Sequence, residues 1–288
     1  MTTLLLAVLL QAKDPNPTQV TFFTWDTYRF DADLDGGGEL ALTHTKFSFD
    51  IRQFLSRQDM VLLQSGVDYL RYDFSSDALP AGLAGELWEE VYIYRTDLVY
   101  MHFFDDKWWG LAYGSLYDSF EKGAHKGDGV SFGGGVGVLY RSSPDFMIGA
   151  ALRGVTRIEE SPYIFLVPQI EWQFSPGWTL KTENRSSYTI GVSRALGEGW
   201  SVESRGNYWL RRFRLDDDSL IPEGVVQDDR VSLEVGVKWA PCDSFWASLH
   251  LGLDVWQEFV IEAKNGNDIA DPSTDPAPYL AFALSASF

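Results

Sequence analysis

The alternation of apolar and polar residues over positions 230–255 most constrains what this chain can fold into. Apolar residues occupy every second position on both sides of a short turn at 240–244, and charged residues and glycines fill the positions between them. A period of two over about 10 residues predicts a strand with one apolar and one polar face. The segment therefore predicts a β-hairpin.

Several features of this hairpin indicate a membrane rather than a soluble β-sandwich. Trp239 and Trp246 flank its turn, and the face opposite the apolar one combines full charges with glycines. Transmembrane β-hairpins turn such an apolar face to lipid and the polar face to a lumen. The chain has no run approaching the roughly 20 apolar residues that a membrane helix needs, yet aromatic residues make up 15% of it. A transmembrane β-barrel fits both facts, because only alternate residues of its strands face lipid.

The same alternation recurs from about residue 19 to the end of the chain. Short turns alternate with long acidic loops, as in barrels with short periplasmic turns and longer outer loops. We therefore predict an all-β fold, a single antiparallel transmembrane barrel of about 14 strands, with 12 as the fallback if 178–185 and 187–196 form no hairpin. The predicted strands are about 19–31, 39–54, 60–74, 90–104, 107–118, 129–141, 145–158, 162–174, 178–185, 187–196, 200–213, 230–239, 245–255 and 278–288.

The first residues differ in character from the rest of the chain. Residues 1–12 form a short apolar run that resembles the h-region and cleavage end of a secretory signal, without a positive n-region. We expect a truncated export signal there, with a short buried strand or helix as the alternative. Residues 13–288 show no linker-like change in composition, which predicts a single barrel domain.

Large aromatic residues gather beside the predicted short turns. At a membrane–water interface amphipathic rings form a girdle at headgroup level, whereas a soluble protein has no reason to group them at one set of turns. The predicted membrane-interface aromatics are Trp108, Trp109, Phe146, Phe174, Trp178, Trp200, Trp239 and Phe245.

Charged residues of both signs fall on the predicted inward faces of the strands. A water-filled pore uses such residues to set the field on a passing solute, whereas pairing across the interior would close a narrow barrel. At this strand number open space is expected unless a plug fills it. The predicted lumen-lining residues are Lys46, Asp50, Arg52, Asp68, Arg95, Asp97, Arg153, Arg157, Glu171, Lys181, Glu183, Glu203, Arg205, Arg211, Arg230, Glu234, Lys238 and Asp254.

Other function classes find little support in the sequence. A net charge of -18 without a basic tract disfavours nucleic acid as a partner. Cys242 is the only cysteine, so it forms no internal disulfide, and no Cys/His metal spacing or cofactor motif exists. The four histidines match no motif of the barrel phospholipases or proteases, so we predict no enzyme. The acidic stretches 31–35 and 216–218 lack the spacing of a twelve-residue calcium loop and are interpreted as solvated loop charge.

The last predicted strand carries a resemblance to a known class. It ends the chain on Phe288 and places Leu280, Phe282 and Phe288 on one face, with Tyr279 beside them. It resembles the C-terminal assembly signal of Gram-negative outer-membrane β-barrel proteins, which finish on an aromatic residue. The resemblance is architectural, covers about 19–288, and is greatest to barrel families of uncharacterised function. It implies an outer-membrane location, with Tyr279, Phe282 and Phe288 as the assembly signal and the barrel-assembly machinery as a folding partner.

These observations together predict a porin-like passive channel for small polar solutes, surrounded by outer-membrane lipid, with the mixed-charge lumen as its selectivity element. A structural or surface-interaction barrel without conductance is the alternative. A barrel enzyme is less favoured, and a soluble β-protein is the residual possibility. Conductance separates the first two hypotheses.

Overall fold

The computed structural model describes residues 18–35, 37–75, 87–184 and 187–288, and the predicted export signal at 1–12 lies outside the described residues. In these ranges no helix is long and apolar enough to cross a membrane. The strands of the described chain are β1 (Thr18–Asp33), β2 (Glu39–Phe54), β3 (Asp59–Phe74), β4 (Glu90–Phe103), β5 (Trp108–Glu121), β6 (Val130–Ser143), β7 (Phe146–Arg157), β8 (Glu160–Ser175), β9 (Trp178–Asn184), β10 (Tyr188–Gly197), β11 (Trp200–Arg214), β12 (Val225–Cys242), β13 (Phe245–Glu262), β14 (Asp268–Ala270), β15 (Ser273–Thr274) and β16 (Ala277–Ser287).

Of the strands in the described ranges, β1 to β13 together with β16 form a closed antiparallel barrel of 14 strands. Each strand from β1 to β13 pairs with the next along the chain, β13 pairs with β16, and β16 pairs with β1 to close the ring. The short strands β14 and β15 lie in the connection between β13 and β16 and pair with β13. The predicted barrel is thus confirmed. The fallback of 12 strands is excluded, because β9 and β10 form a hairpin in which Asn184 pairs with Tyr188.

The two ends of the barrel differ. One end, the turn end, contains the start of β1 and the end of β16. Its connections are the short turns 55–58, 104–107, 144–145, 176–177, 198–199 and 243–244. At the loop end the connections are mostly longer, and 215–224 and 263–276 are examples. The shortest of them is the turn 158–159 between β7 and β8, where Glu159 adopts a φ of 56°.

Exposed apolar side chains cover the outer face of the barrel. On β12 Leu233, Val235 and Val237 are exposed, while Ser232 and Glu234, which alternate with them, are buried. Such an alternation gives the outer face the apolar character that lipid requires. Other members of this outer belt are Leu98, Leu116, Phe132, Val136, Leu152, Ile164, Leu166, Ile190, Leu249, Leu251 and Leu280.

On β5 the structure places one of the predicted interface aromatics in the interior. Trp109 points inward, is 2% exposed, and packs with its ring centroid 5.4 Å from that of Phe103. The outward face carries Trp108 and then Gly110, which the ring of Phe104 covers. Both faces of β5 carry aromatic residues, so the alternation of large and small residues does not reveal which face fills the interior. Trp109 is therefore a core residue, and its assignment to the membrane interface was wrong.

The loop end of the barrel is pinched. Arg214 of β11 and Phe120 of β5 form a parallel backbone bridge, although five strands lie between β5 and β11 along one side of the ring. The backbone N–H of Asp216 donates to Glu121 Oε2 at 2.9 Å and extends this contact into the loop 215–224. The loop end is consequently divided into one half bounded by β12, β13, β16 and β1 to β4, and another bounded by β6 to β10.

The wall of the second half is incomplete. The β9–β10 hairpin is short: β8 pairs with β9 at Glu171 and Trp172, and β11 pairs with β10 up to Tyr208. Beyond the hairpin β8 runs on to Glu160 and β11 to Arg214, and within the described residues no backbone ladder joins these two ends. We call this opening between residues 160–167 and 209–214 the wall gap.

Arginine side chains bridge the wall gap at its loop-end limit. Arg212 Nε donates to the carbonyl oxygen of Ile158 at 2.8 Å, and its Nη1 lies 2.8 Å from Glu160 Oε1. Arg214 Nη2 lies 2.5 Å from Glu159 Oε1. Side-chain ion pairs thus take the place of the missing ladder between β8 and β11.

Candidate functional site: the barrel interior

Three adjoining cavities lie in the barrel interior. The turn-end cavity has a volume of about 320 Å³ and includes Phe23, Glu203 and Trp246 in its lining. The central cavity, of about 160 Å³, shares Lys46 and Asp50 with it. The side cavity, of about 140 Å³, shares Gln64, Tyr117, Arg153 and Asn184 with the central one. These shared residues make the three cavities neighbours along one irregular path.

Charged side chains dominate the lining of the central cavity. Six cationic residues and two carboxylates contribute to it, namely Lys46, Arg95, Arg153, Arg157, Arg211 and Arg212 against Asp50 and Asp68. The wall gap opens at the same cavity, because Phe165 of β8, Tyr188 of β10 and Leu210 of β11 are also in its lining. The lining of the central cavity thus contains more cations than carboxylates, although Arg95, Arg211 and Arg212 pair with acids outside it. The cavity lies beside the incomplete wall.

A network of buried polar groups crosses the interior between β1–β3 and β11–β13. Arg211 Nη1 lies 3.2 Å from Asp228 Oδ2, and the Tyr72 hydroxyl donates to the same oxygen at 2.8 Å. Arg230 Nη1 lies 3.2 Å from Asp254 Oδ2, while Arg29 donates to Gln257. Buried charges persist only when they are paired and hydrogen-bonded. The network therefore closes this half of the interior rather than lining a pore.

His44 joins this network to β3 through both of its ring nitrogens. Arg211 Nη2 lies 3.3 Å from His44 Nδ1, and His44 Nε2 lies 3.2 Å from Asp68 Oδ2. Because an arginine can only donate, Nδ1 is the acceptor, and Nε2 carries the proton that it donates to Asp68. Both ring nitrogens of His44 thus have hydrogen-bond partners, and the side chain connects β2 with β3 and β11.

An apolar cluster fills the same half of the interior above this network, at the loop end. Trp88, from the connection between β3 and β4, packs against Tyr72, Phe213 and Phe259 with ring centroids 5.3–5.9 Å away. Trp88 is 2% exposed and Phe213 is fully buried. This loop-end cluster also contains Leu34, Leu40, Leu42, Leu70, Val91, Leu215, Ile221, Val226 and Ile261. It plugs one half of the outer mouth with apolar side chains.

A second set of ion pairs surrounds the turn-end cavity. Arg205 Nη2 lies 2.7 Å from Glu203 Oε1, and its Nη1 lies 3.6 Å from Glu234 Oε1. Lys181 Nζ lies 2.5 Å from Glu183 Oε1 on the same strand, and both residues line this cavity. Unlike the cross-barrel network, these pairs join residues on the same or on adjacent strands, so the space between the walls stays open.

The side chains of all of the predicted lumen residues are buried or half-buried in the structure. It separates them into two groups that sequence reasoning did not distinguish. Arg230 and Asp254 belong to the cross-barrel network, whereas Arg205, Glu203 and Lys238 line the turn-end cavity. The interior aromatic residues Tyr163 and Phe165, which line the central cavity, escaped the sequence analysis because neighbouring Ile164 and Leu166 gave β8 an apolar signal on both faces.

The remaining predicted aromatics lie on the outer face beside the turns. Trp108, Phe174, Trp200 and Trp239 are exposed, while Phe146, Trp178 and Phe245 are half-buried. Neighbouring members pack together, with ring centroids 6.1 Å apart for Trp200 and Trp239. In β16, Phe282 and Phe288 point outward, but the Tyr279 hydroxyl donates inward to Glu234 Oε2 at 2.8 Å.

One group of side chains has the spacing of metal ligands within the described part of the chain. His125, Asp128 and Asp217 each place one donor atom within 4.8 Å of the others, at the loop end where β5–β6 and β11–β12 meet. His125 Nδ1 lies 2.5 Å from Asp217 Oδ2, and His125 and Asp128 are exposed. Sequence spacing did not predict this group, because its members are about 90 residues apart.

No protein-family model matches the sequence, and no curated protein matches it. Solved structures do match. The deltaS2 mutant of the monoaromatic hydrocarbon channel TodX is 9% identical with a TM-score of 0.52, over 96% of this chain and 92% of that chain. The deltaS2S3 mutant of the same channel is 10% identical with a TM-score of 0.50, over the same shares. An outer membrane channel from Pseudomonas putida F1 is 8% identical with a TM-score of 0.48, over 94% of this chain and 95% of that chain.

At these identities the similarity concerns the fold. The chain shares the closed antiparallel barrel of outer-membrane channels. It also has an even number of barrel strands and an apolar outer belt, which are typical of membrane barrels. The predicted fold is thereby confirmed: the chain folds as a closed antiparallel β-barrel like those of these outer-membrane channels.

Proposed function

We propose that this barrel is a passive channel for small polar solutes. The observation that carries the proposal is the row of adjoining cavities, which begins at the turn end and reaches the wall gap. The route avoids the half of the barrel that the loop-end cluster and the cross-barrel network fill. A solute would enter or leave on the loop side through the part of the mouth bounded by β6 to β10.

The lining of this route supports polar rather than apolar solutes. The solved structures that the chain resembles include one titled a monoaromatic hydrocarbon channel, but here Lys46, Asp50 and Arg95 line the central cavity of the path. Desolvated apolar solutes gain nothing from such charges, whereas polar solutes exchange hydration for contacts with them. The small cavity volumes limit the channel to small solutes.

The same proposal includes the placement of the barrel in the membrane. The aromatic residues beside the turns would form the girdle at the periplasmic interface, and the acidic connections of the loop end would face outward. The outward face of β16, with Phe282 and Phe288, is the surface that the barrel-assembly machinery would recognise. Both statements are supported by the positions of these side chains on the outer wall.

Planar-bilayer conductance of the refolded protein tests the proposal. We expect discrete, salt-dependent current steps that are small, because the path narrows to cavities of about 160 and 140 Å³. The control is the same detergent without protein. A folded barrel that shows no steps at any voltage would refute the channel.

A specific observation favours a second candidate, a structural or surface-interaction barrel without conductance. The buried network around Arg211 and Asp228 spans the interior, and the loop-end cluster closes half of the mouth. If the remaining half is also closed in the membrane, the acidic outer loops become the functional surface. A silent but folded barrel in the bilayer experiment is the result that this candidate predicts.

A further inference from the structure

We propose that Arg153, with the aromatic rings around it, binds small aromatic carboxylates inside the barrel. This proposal names a solute class for the proposed channel and rests on that function only for transport, since binding is measurable by itself. The site lies where the central and side cavities meet, because Arg153, Tyr117 and Asn184 are in the lining of both.

The lack of charge on its hydrogen-bond partners distinguishes Arg153 from three other interior arginines. Arg95 lies 2.8 Å from Asp97, Arg205 lies 2.7 Å from Glu203, and Arg211 lies 3.2 Å from Asp228. The hydrogen-bond partners of Arg153 among the described residues are neutral: Nη2 donates to the Tyr117 hydroxyl at 2.5 Å, and Nη1 to Asn184 Oδ1 at 3.3 Å.

Among the described residues, Asp97 is connected to this guanidinium through an intervening hydroxyl. Tyr117 accepts from Arg153 and lies 3.5 Å from Asp97 Oδ1, and Asp97 already pairs with Arg95. The Nε of Arg153 is buried without a hydrogen-bond partner among the described atoms. A half-buried cation whose contacts are neutral gains from a carboxylate, because opposite charges attract strongly in a partly buried site and a carboxylate can accept two parallel N–H bonds from a guanidinium.

Aromatic rings surround this cation on two sides. The guanidinium carbon lies 5.8 Å from the ring centroid of Tyr113 and 6.0 Å from that of Phe165. Phe165 in turn packs on Tyr163 and Tyr188 at 5.0 and 5.7 Å. These rings hold the guanidinium in place and present faces and edges against which a planar ring can stack.

The side cavity supplies the apolar space that an aromatic ring needs. Its wall away from Arg153 is formed by Met101, Leu111, Leu139 and Met147, which also belong to the buried cluster at the turn end. An apolar cavity of about 150 Å³ holds one benzene molecule, and the side cavity measures about 140 Å³. A single ring would occupy this space while its carboxylate faces Arg153.

Ion pairing of the neighbouring carboxylates leaves room for an anion at this point. Asp97 and Glu183, which also line the side cavity, pair with Arg95 and Lys181. The chain as a whole has a net charge of -18, which repels anions at long range, so an anion preference must arise from this local site. Because salt screens the long-range repulsion more than a contact in a partly buried site, moderate salt should not abolish binding.

Isothermal titration of the refolded barrel in a zwitterionic detergent tests the site, with benzoate as the probe. We expect benzoate to bind at least tenfold more tightly than acetate, which lacks the ring, and than benzyl alcohol, which lacks the charge. Arg153→Met should weaken benzoate binding about tenfold or more, as loss of a charge-assisted hydrogen bond predicts. Arg141→Met is the matched control, because Arg141 is absent from the lining of the three cavities.

A second variant keeps the proposal testable if Arg153→Met does not fold. Phe165→Leu keeps the charge and should lower the affinity for benzoate several-fold while leaving the weak acetate affinity unchanged. Circular dichroism and the mobility of the unheated protein report whether each variant is folded. Equal benzoate affinity of folded wild-type protein and Arg153→Met, or equal affinities for benzoate and acetate, would overturn the assignment.

The outcome separates the two proposals. A barrel that binds benzoate through Arg153 but conducts no current refutes the channel and keeps the binding site. A barrel that conducts, but whose benzoate binding does not depend on Arg153, refutes the binding site and keeps the channel.

Discussion

Arg214 and Phe120 pair through their backbones across the loop end of the barrel, although β5 and β11 are far apart in the ring. The contact divides the mouth into a half filled by the loop-end cluster and a half that adjoins the central cavity. The division arises from the end of β11, where Phe213 enters the loop-end cluster and Arg214 reaches Glu159. The path for a solute is therefore off-centre.

The apolar outer belt predicts the effect of a charge placed on it. Leu251 lies on the outer face of β13, 57% exposed and paired with Val235 and Leu280 on the neighbouring strands. Leu251→Arg should lower the free energy of unfolding in lipid by about 2–4 kcal/mol if the residue lies near the midplane. Chemical denaturation in vesicles measures this.

Ala247→Arg provides the control on the same strand and face, two positions from the turn-end start of β13 at Phe245. Near the interface the expected cost is only about 0–1 kcal/mol. Equal costs at positions 251 and 247, or no cost at 251, would contradict the assignment of this face to lipid.

Two interior arginines should respond differently to reversal of charge. Arg205 lines the turn-end cavity, so Arg205→Glu should shift the reversal potential in a salt gradient toward cation selectivity. The measurement is single-channel recording with unequal KCl on the two sides. An unchanged reversal potential in a folded variant would mean that ions do not pass through the turn-end cavity beside Arg205.

Arg230 is 3% exposed and pairs with Asp254 in the cross-barrel network. Arg230→Glu leaves two buried carboxylates facing each other, and breaking a buried pair costs about 3–5 kcal/mol. We expect this variant to unfold at much lower denaturant concentration than Arg205→Glu. Similar midpoints for the two variants would count against the division of the interior into network and cavity.

Trp88 should be the main determinant of closure at the loop end. Its ring packs between Tyr72, Phe213 and Phe259, so Trp88→Ala should cost about 3–5 kcal/mol and leave a cavity in the loop-end cluster. If the cluster plugs half of the mouth, the variant should also give larger current steps. Steps of wild-type size from a destabilised but folded variant would show that the cross-barrel network alone closes this half.

The turn 104–107 gives a prediction about pH. The backbone N–H groups of Lys107 and Trp108 each donate to Asp105 Oδ1 at 2.7 Å, and they lower the pKa of this carboxyl. A carboxyl with a lowered pKa stabilises the folded state above its unfolded pKa, and this contribution is lost as pH falls through the folded value. Asp105→Ala should therefore be less stable than wild type at neutral pH, and the difference should disappear in acid. A difference that persists at low pH would point to a cause other than the charge.

The regular part of this fold could be predicted from the sequence because each strand carries its own evidence. On β12 the alternation of Leu233, Glu234 and Val235 gives the strand, its faces and its place in a membrane barrel together. The same evidence fails on β5, where Trp108 and Trp109 are adjacent and only packing against Phe103 decides which one points inward. The sequence of a strand reveals which face points inward when one face is polar. When neither face is polar, only the packing against other strands decides it.

The arrangement within the interior could not be predicted in the same way. The sequence places Arg153, Arg205 and Arg230 on inward faces, but each of them also has a partner on another strand. Whether a charge lines a cavity or spans the barrel depends on the distance across the ring. That distance depends on the pinching by β11, for which the run of arginines at 211–214 gives no local signal.

The short β9–β10 hairpin has a consequence for the depth at which the barrel sits. Toward the loop end beyond Tyr188 and Tyr208, the described ends of β8 and β11 have no ladder between them. Unpaired backbone amides and carbonyls are not tolerated in contact with hydrocarbon, and the ion pair of Arg212 and Glu160 marks the loop-end limit of the gap. Exposed Ile164 and Leu166 continue the apolar outer face below this pair. On this side we therefore expect the acyl chains of the outer leaflet to end between the two tyrosines and the ion pair, which sets how deeply this part of the wall can sit in the membrane.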